Sequence, residues 1–309
     1  MQVAAWRHWP NQDHIADQLA AAIVAYQSIH QHDFIKVSCN SNSLCEAFGV
    51  RRVWQNSSLG SYAKNTSAFD IKALLAQPNP RTLHDCQLLQ TNLAAHRRIS
   101  ANPDCKDTPS FATVYSPLYS LNSMLAGKLT IAGLALAENC AMLQRLTALT
   151  CEYIAELQTI RNVRIYYCSF HASAEFCRYP QFKKHVAHYD QQCIASLSGT
   201  EHLIHYHSAG EVYFDYLASG KFAFVSAEHY QHPVQIGALL ARFTQLTFVG
   251  LLDCLLRPQP LSYSQIVHFF TELGRAVALE RVLVAPACTL PLTITDTTLA
   301  QVCKIVRAL

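Results

Sequence analysis

Short apolar runs of strand length alternate with amphipathic stretches of helical length along the whole chain. The β-rich runs predict strands at 3–7, 33–39, 111–116, 163–169, 202–207, 221–227, 246–252 and 281–286. The stretches between them predict helices at about 14–30, 81–97, 137–160, 180–198, 209–219, 234–244, 263–277 and 295–308. Such unbroken alternation predicts an α/β fold, a single (β/α)8 TIM barrel over residues 1–309.

One segment interrupts this alternation. Residues 40–80 are polar and rich in Asn and Ser, without a clear strand or helix period. They follow the second predicted strand, on the face where the loops of a barrel build its active site. We therefore interpret about 40–80 as an elaborated loop of the same domain.

The composition excludes several classes of protein. Half of the residues are hydrophobic and 15% are charged, which favours a large core over disorder. The net charge of +3 comes without long runs of one sign, so we expect neither nucleic acid nor a membrane as partner. No apolar stretch has the length of a membrane span or a signal peptide, so a cytoplasmic location with reduced thiols is expected.

Residues with ligand or acid–base chemistry concentrate where the predicted strands end. The carboxyl ends of barrel strands carry active sites, so these residues are expected to converge. They are Arg7, His8, Cys39, Cys168, His171, His205, His207, His229, Asp253, Cys254 and Cys288. The guanidinium of Arg7 is interpreted as a clamp for a substrate anion, with His8 and Cys39 beside it.

His207 and Cys288 form the expected centre of this site. A neutral imidazole and a thiolate suit zinc, which favours mixed nitrogen and sulfur ligands. A third ligand is left open among His205, His229, Cys168 and His171. His205 and His207 are interpreted as pointing to opposite faces of their strand, which would make one of them structural.

Several segments together resemble the uroporphyrinogen decarboxylase superfamily. The resemblance rests on Val3-Ala-Ala-Trp-Arg-His, Asp33-Phe-Ile-Lys-Val, Tyr115-Ser-Pro-Leu, Arg164-Ile-Tyr-Tyr-Cys-Ser-Phe-His, His205-Tyr-His-Ser-Ala-Gly-Glu-Val and Ala285-Pro-Ala-Cys-Thr-Leu-Pro. That superfamily of TIM barrels includes decarboxylases, corrinoid-linked zinc methyltransferases and an uncharacterised branch, and the Trp6-Arg7-His8 start is most similar to that branch.

The resemblance implies different roles in each subfamily. In the decarboxylases an Asp after the second strand stabilises cationic pyrroles, and here that place falls near Cys39. Their histidine before the final helix falls at Cys288. The methyltransferase pattern H-x-C-G, followed by a late Cys, is matched at His207, Gly210 and Cys288, with Ala209 in place of the middle Cys.

The sequence thus predicts an enzyme with its site at the top of the barrel. His207, Cys288, His171 and His229 would carry catalysis, Glu211 would orient a histidine, and His205 would join His207 and Cys288 on a zinc ion. Decarboxylation of a tetrapyrrole acid would need no cofactor, whereas methyl transfer from a corrinoid donor would need zinc. A homodimer is a further expectation from the resemblance, and an inactive barrel that binds a ligand or partner is the alternative function.

Overall fold

Eight parallel strands form one sheet in the computed structural model, which describes residues 1–38, 43–50, 53–55, 62–64, 68–77, 82–208, 210–256 and 259–309. The strands are β1 Gln2–Val3, β2 Ile35–Val37, β3 Ser110–Tyr115, β4 Val163–Ser169, β5 His202–Tyr206, β6 Phe222–Ala227, β7 Thr247–Leu251 and β8 Val282–Ala285. Their order is β1-β8-β7-β6-β5-β4-β3-β2.

The two ends of this order meet at Asp33, just before β2. The Asp33 N–H donates to Val3 O at 3.0 Å, and the Asp33 carboxylate accepts from the Val3 N–H at 2.7 Å. The sheet is therefore curled, with its first and last strands linked. This architecture confirms the predicted (β/α)8 class.

Helices cover the outer face of the sheet. The α-helices are Ala16–His30, Ser43–Glu46, Ile71–Leu75, Gln87–Ala101, Pro117–Met124, Ile131–Leu134, Ala137–Gln158, Tyr179–His185, Ala187–Ala195, Pro233–Arg242, Leu252–Leu256, Tyr263–Ala276 and Asp296–Ala308. The 3₁₀ helices of the described residues are Leu83–Asp85, Phe214–Ser219 and Leu279–Arg281. Within the described ranges, no helix is long and apolar enough to cross a bilayer.

The structure differs from the predicted elements at several places. The predicted helix at 209–219 is a 3₁₀ helix over Phe214–Ser219, because its buried Phe214, Tyr216 and Leu217 lack the 3.6-residue period. The predicted helix at 180–198 is divided in two. The unpredicted helix Pro117–Met124 begins at Ser116, whose hydroxyl accepts the Tyr119 N–H at 3.3 Å.

The predicted loop at 40–80 contains regular elements in its described parts. Ser43–Glu46 and Ile71–Leu75 are helical, and Val53–Gln55 pairs antiparallel with Tyr62–Lys64 as a hairpin. The helices of this segment pack on the core through Leu44, Cys45, Ile71 and Leu74. This segment follows β2 on the side where the chain leaves the carboxyl ends of the strands.

Side-chain alternation along the strands separates the barrel interior from the layer under the helices. On β4, Tyr166 and Cys168 lie inside the barrel with Trp6, Phe111 and Leu203, whereas Tyr167 belongs to the layer outside the sheet. Trp6 and Tyr166 meet edge to face, with ring centroids 6.1 Å apart. This aromatic packing closes the barrel beneath the ends of β5 and β8.

Candidate functional site

His205, His207 and Cys288 come together above this aromatic core. His205 lies on β5, His207 follows β5, and Cys288 follows β8. One potential ligand atom from each side chain lies within 4.8 Å of the other two. The expectation that the two histidines face opposite ways is wrong, because residues two apart on a strand share a face.

A hydrogen-bond chain assigns the tautomer of His205. The Ser226 hydroxyl donates to Ala287 O at 3.0 Å, so its oxygen is left to accept from His205 Nδ1–H, 3.2 Å away. The lone pair of the His205 ring then lies on Nε2, which is buried and has no hydrogen-bond partner among the described residues. Burial, followed by the charges of His207 and Lys36, holds the pKa of His205 well below its ordinary value.

Glu228 orients the second histidine. Its Oε2 lies 2.6 Å from His207 Nδ1, a charge-assisted contact that leaves Nε2 for a ligand. Burial lowers the pKa of His207, but the hydrogen bonds that its ring donates to Cys288 and Glu228 outweigh burial and raise the pKa to about 10. In the metal-free protein His207 is thus an imidazolium between two acceptors.

A cavity of about 340 Å³ opens beside His207. It is lined by Tyr119, Asn122, Phe170, His171, Glu175, Phe176, His207, Ser208, Glu228 and His229. The Phe170 ring contacts the His207 ring with centroids 4.4 Å apart. The cavity therefore combines aromatic surfaces with two carboxylates, and three of the predicted catalytic residues, His171, His207 and His229, are in its wall.

His171 and His229 differ in their surroundings. His171 is buried, and its ring meets Phe176 edge to face at 4.5 Å. Desolvation lowers the pKa of His171 to about 4, so its imidazole is neutral at physiological pH. His229 is exposed at the cavity rim.

The residues predicted to bind an anion lie elsewhere. Arg7 pairs with Asp296 at 2.9 Å and stacks over the Tyr26 ring at 4.9 Å. Burial, with a smaller contribution from the charge of Lys36, lowers the pKa of His8 to about 4. Neither side chain is among those lining the cavity beside His207. Their role in substrate binding stays a prediction.

Cys39 and Glu211 complete the comparison with the predicted residues. Cys39 lies outside the described residues. Glu211 is exposed and is not part of the cavity wall, and the carboxylate against His207 is Glu228 instead. The end of β6 adjoins the end of β5, which is why Glu228 reaches His207.

Three side chains of the site were not predicted: Ser226, Glu228 and Lys36. Glu228 directly follows β6, so the rule that identified His229 would have found it. Lys36 is a charged residue in the middle of a buried strand, which is itself an unusual pattern. Ser226 gives no comparable signal, because a buried serine on a strand is common.

The donor set fits a zinc ion. Two imidazoles and one thiolate are ligands that zinc prefers, and three protein ligands leave the open position typical of catalytic zinc. The Nδ1 atom of His205 contacts the Ser226 hydroxyl, and the Nδ1 atom of His207 contacts the Glu228 carboxylate. Histidines that bind a metal usually have their other ring nitrogen held by an oxygen in this way. The buried, unpartnered Nε2 of His205 is the atom that a metal would satisfy.

Comparison with known proteins shows the fold. No family model and no curated protein matches the chain. Among solved structures, a methyltransferase from Methanosarcina mazei is similar over 99% of this chain and 94% of that chain, with a TM-score of 0.72 and 15% sequence identity. This likeness supports the barrel architecture at full length, and membership of the superfamily and of any branch of it stays a prediction.

Proposed function

We propose that this protein is a zinc-dependent barrel enzyme that transfers a methyl group to a thiol acceptor at the carboxyl ends of its strands. The observation that carries the proposal is the convergence of His205, His207 and Cys288 within 4.8 Å. The fold likeness to a methyltransferase is consistent with this chemistry. The donor would be a methylated corrinoid, as the resemblance to the zinc methyltransferases implies.

The chain's own residues would hold the metal and shape its surroundings. His205 Nε2, His207 Nε2 and Cys288 Sγ would be the ligands, with Ser226 and Glu228 fixing the orientation of the two rings. Zinc would act as a Lewis acid that lowers the pKa of an acceptor thiol, so that a thiolate is present at neutral pH. The thiolate sulfur would form a bond to the methyl carbon as the bond from that carbon to its carrier breaks.

The cavity suits this reaction better than a porphyrinogen decarboxylation. Its described wall contains the carboxylates of Glu175 and Glu228 and no Lys or Arg side chain. A substrate with many carboxylates would be poorly matched there, because the wall offers no Lys or Arg and the His207 imidazolium is already paired with Glu228. The aromatic rings of Tyr119, Phe170 and Phe176 would instead exclude water from a small acceptor.

Metal analysis of protein purified without chelators tests the metal site. We expect about one zinc per chain, with stoichiometric loss in His207→Ala and Cys288→Ala. His229→Ala, at the exposed cavity rim, is the matched control and should keep its zinc. A wild-type protein that binds no zinc after dialysis against the metal would contradict the proposed metal site.

A methyl-transfer assay tests the reaction itself. Methylcobalamin and a small thiol are mixed with the zinc-loaded protein, and loss of the methylcobalamin absorbance is followed together with the methyl thioether formed. We expect turnover that disappears in Cys288→Ala. Zinc-loaded protein that produces no thioether with a panel of thiols, but binds one of them, would favour the alternative of an inactive ligand-binding barrel.

A further inference from the structure

The loop that carries Cys288 is anchored from across the barrel. Two consecutive backbone carbonyls, of Ala287 and Cys288, accept hydrogen bonds from side chains of four different strand regions. The donors are Trp6 Nε1 at 2.7 Å and Lys36 Nζ at 3.2 Å to Cys288 O, and Tyr166 Oη and Ser226 Oγ at 3.0 Å each to Ala287 O. These donors therefore hold the peptide on each side of the Cys288 Cα, and with it the position of the side chain.

The same loop is also held from its amide side. The Ala287 N–H donates to the Asp253 carboxylate at 2.7 Å. Asp253 lies two residues after Leu251, the last residue of β7, whose φ of 80° lies in the left-handed region that a branched side chain rarely adopts. A strained residue that persists beside a candidate site indicates that the surroundings enforce the geometry.

Lys36 is the one charged side chain among the four donors to these carbonyls. It lies on β2 inside the barrel, and the residue is 7% exposed. Its ammonium stands over the Tyr166 ring at 3.7 Å from the centroid and 5.2 Å from the Trp6 ring. Both rings also donate to the anchored loop, so one cation–π cluster and one pair of carbonyls form a single unit.

A cation at this depth has two possible effects on a metal site. Its charge would repel a divalent ion, since Coulomb energies are large where water is excluded. Its hydrogen bond to Cys288 O would instead favour binding by holding the Sγ ligand near the imidazoles. Burying an ammonium group costs free energy, and repulsion of a metal ion would give no reason to keep one here. The hydrogen bond from Lys36 Nζ to the backbone of Cys288 does give such a reason.

We propose that Lys36 is a positioning residue for the metal site, acting through the Cys288 carbonyl to keep Cys288 Sγ within reach of His205 and His207. The proposal rests on the proposed function for the identity of the site, and it assigns to Lys36 a role in metal affinity. Residues behind the direct ligands of a metal typically change its affinity ten- to a hundredfold when removed.

The test compares metal binding in Lys36→Met and wild-type protein. Met keeps an unbranched apolar chain and removes the ammonium. Affinities for Zn²⁺ and Co²⁺ are measured by competition with a chromophoric chelator, and the thiolate-to-cobalt absorption band reports whether Cys288 is bound. We expect about a ten- to hundredfold weaker affinity and a diminished thiolate band. Unchanged or tighter binding would overturn the proposal, because loss of charge alone would tighten it.

Two further variants separate positioning from folding. Lys36→Gln keeps an uncharged donor one bond shorter and should give an affinity between those of wild type and Lys36→Met, so it serves if Lys36→Met fails to fold. If Lys36→Gln bound the metal as tightly as wild type or more tightly, that result would overturn the proposal, as the same result in Lys36→Met would. Lys183→Met is the matched control, since Lys183 pairs with Asp215 on the surface and should leave affinity unchanged.

A wild-type protein that binds neither metal would contradict the proposed function and not the role of Lys36. In that case crystal structures of metal-free wild type and Lys36→Met decide the question. Displacement of Cys288 Sγ away from His207 in the variant would support positioning. An anchored loop that keeps the same place without the ammonium would overturn it.

Discussion

Two clusters of polar side chains, one partly buried and one fully buried, lie on opposite faces of the sheet near β4 and β5. The inner cluster consists of His205, His207 and Cys288, inside the barrel. The outer cluster consists of Asp190, Tyr167 and Ser169, beneath the Ala187–Ala195 helix. Both depend on the alternation of side chains along the same strands, because Tyr166 points inward and its neighbour Tyr167 outward.

The two clusters differ in how completely their polar atoms are paired. Asp190 accepts from the Tyr167 hydroxyl at 2.8 Å and from the Ser169 hydroxyl at 3.2 Å, one on each carboxylate oxygen. In the inner cluster, by contrast, His205 Nε2 has no partner among the described residues, and His207 faces a cavity.

This difference separates a structural network from a candidate site. A buried polar group without a partner costs stability, so its persistence calls for a ligand or a chemical role. A closed network such as that around Asp190 needs only the fold itself to explain it. The inner cluster should therefore control binding and reaction, and the outer cluster should control stability.

The largest expected effect is on metal binding by the inner cluster. Replacing Cys288 by Ala should weaken zinc affinity by about a thousandfold, because one of three ligands then loses its share of a binding energy of ~10–16 kcal/mol. Thioether formation should be lost with it. Competition titration against a chelator measures the affinity, and the thermal midpoint of the metal-free protein should barely move.

Cys193→Ala is the matched control for that experiment. Cys193 is a buried cysteine beside the outer cluster, where burial and the neighbouring Cys151 hold its pKa well above the ordinary value. Its loss should lower stability and leave zinc affinity unchanged. If Cys193→Ala lost zinc as Cys288→Ala does, the division between the two clusters would be wrong.

The outer cluster should show the reverse behaviour. Asp190→Ala should reduce the free energy of unfolding by about 3 kcal/mol, because it removes the acceptor of the buried Tyr167 and Ser169 hydroxyls and leaves a small cavity. Urea unfolding followed by circular dichroism measures this loss. Zinc affinity per folded chain should stay as in wild type, and a parallel loss of zinc would show that the clusters are coupled.

The fold could be predicted from the chain because its signals are local. Apolar runs and helix periods repeat through the sequence, and each of the eight strands overlaps the apolar run that predicted it. The exception at 214–219 shows the limit, since a 3₁₀ helix packed through Phe214 and Tyr216 leaves no regular period. Tertiary packing and not local preference decides such segments.

The candidate site could be predicted only in part. His207 and Cys288 lie at strand ends, so topology alone brings them together. Glu228 directly follows β6, so the same rule applies to it. Ser226 became recognisable only with the register of β5 against β6, which sets it opposite His205. Arg7 shows the opposite limit, because its partner Asp296 is 289 residues away and no local pattern announces that pair.

Metal affinity should depend steeply on pH in the inner cluster. Burial lowers the pKa of His207 but its bonds to Cys288 and Glu228 raise it to about 10, so a metal must displace a bound proton throughout the neutral range. Affinity should then rise about tenfold per pH unit, or about a hundredfold from pH 6.5 to 8.5. An ordinary imidazole, half deprotonated at about pH 6.5, would add almost no dependence there.

Competition titrations at several pH values, corrected for protonation of the chelator, measure this slope. Glu228→Gln removes one of the two groups that raise the pKa of His207 and should flatten the dependence. Asp190→Asn, in the outer cluster, should leave it as in wild type. A pH-independent affinity in the wild type would show that the His207 proton is not what the metal replaces.

The smallest expected effect is the pH dependence of stability that comes from Asp190. Burial, opposed by hydrogen bonds from Tyr167, Tyr216 and Ser169, raises the pKa of this carboxyl to about 6, above the ordinary value near 4 of the unfolded chain. The folded state then binds more protons between those values, so the contribution of Asp190 to stability is present at low pH and is lost as pH rises through about 6. From pH 5 to pH 7 the loss should be about 1 kcal/mol. Asn at 190 has no proton to lose. The difference in unfolding free energy between wild type and Asp190→Asn should therefore change by about 1 kcal/mol over the same interval. A difference that stays constant would show that the carboxylate is already ionised at pH 5.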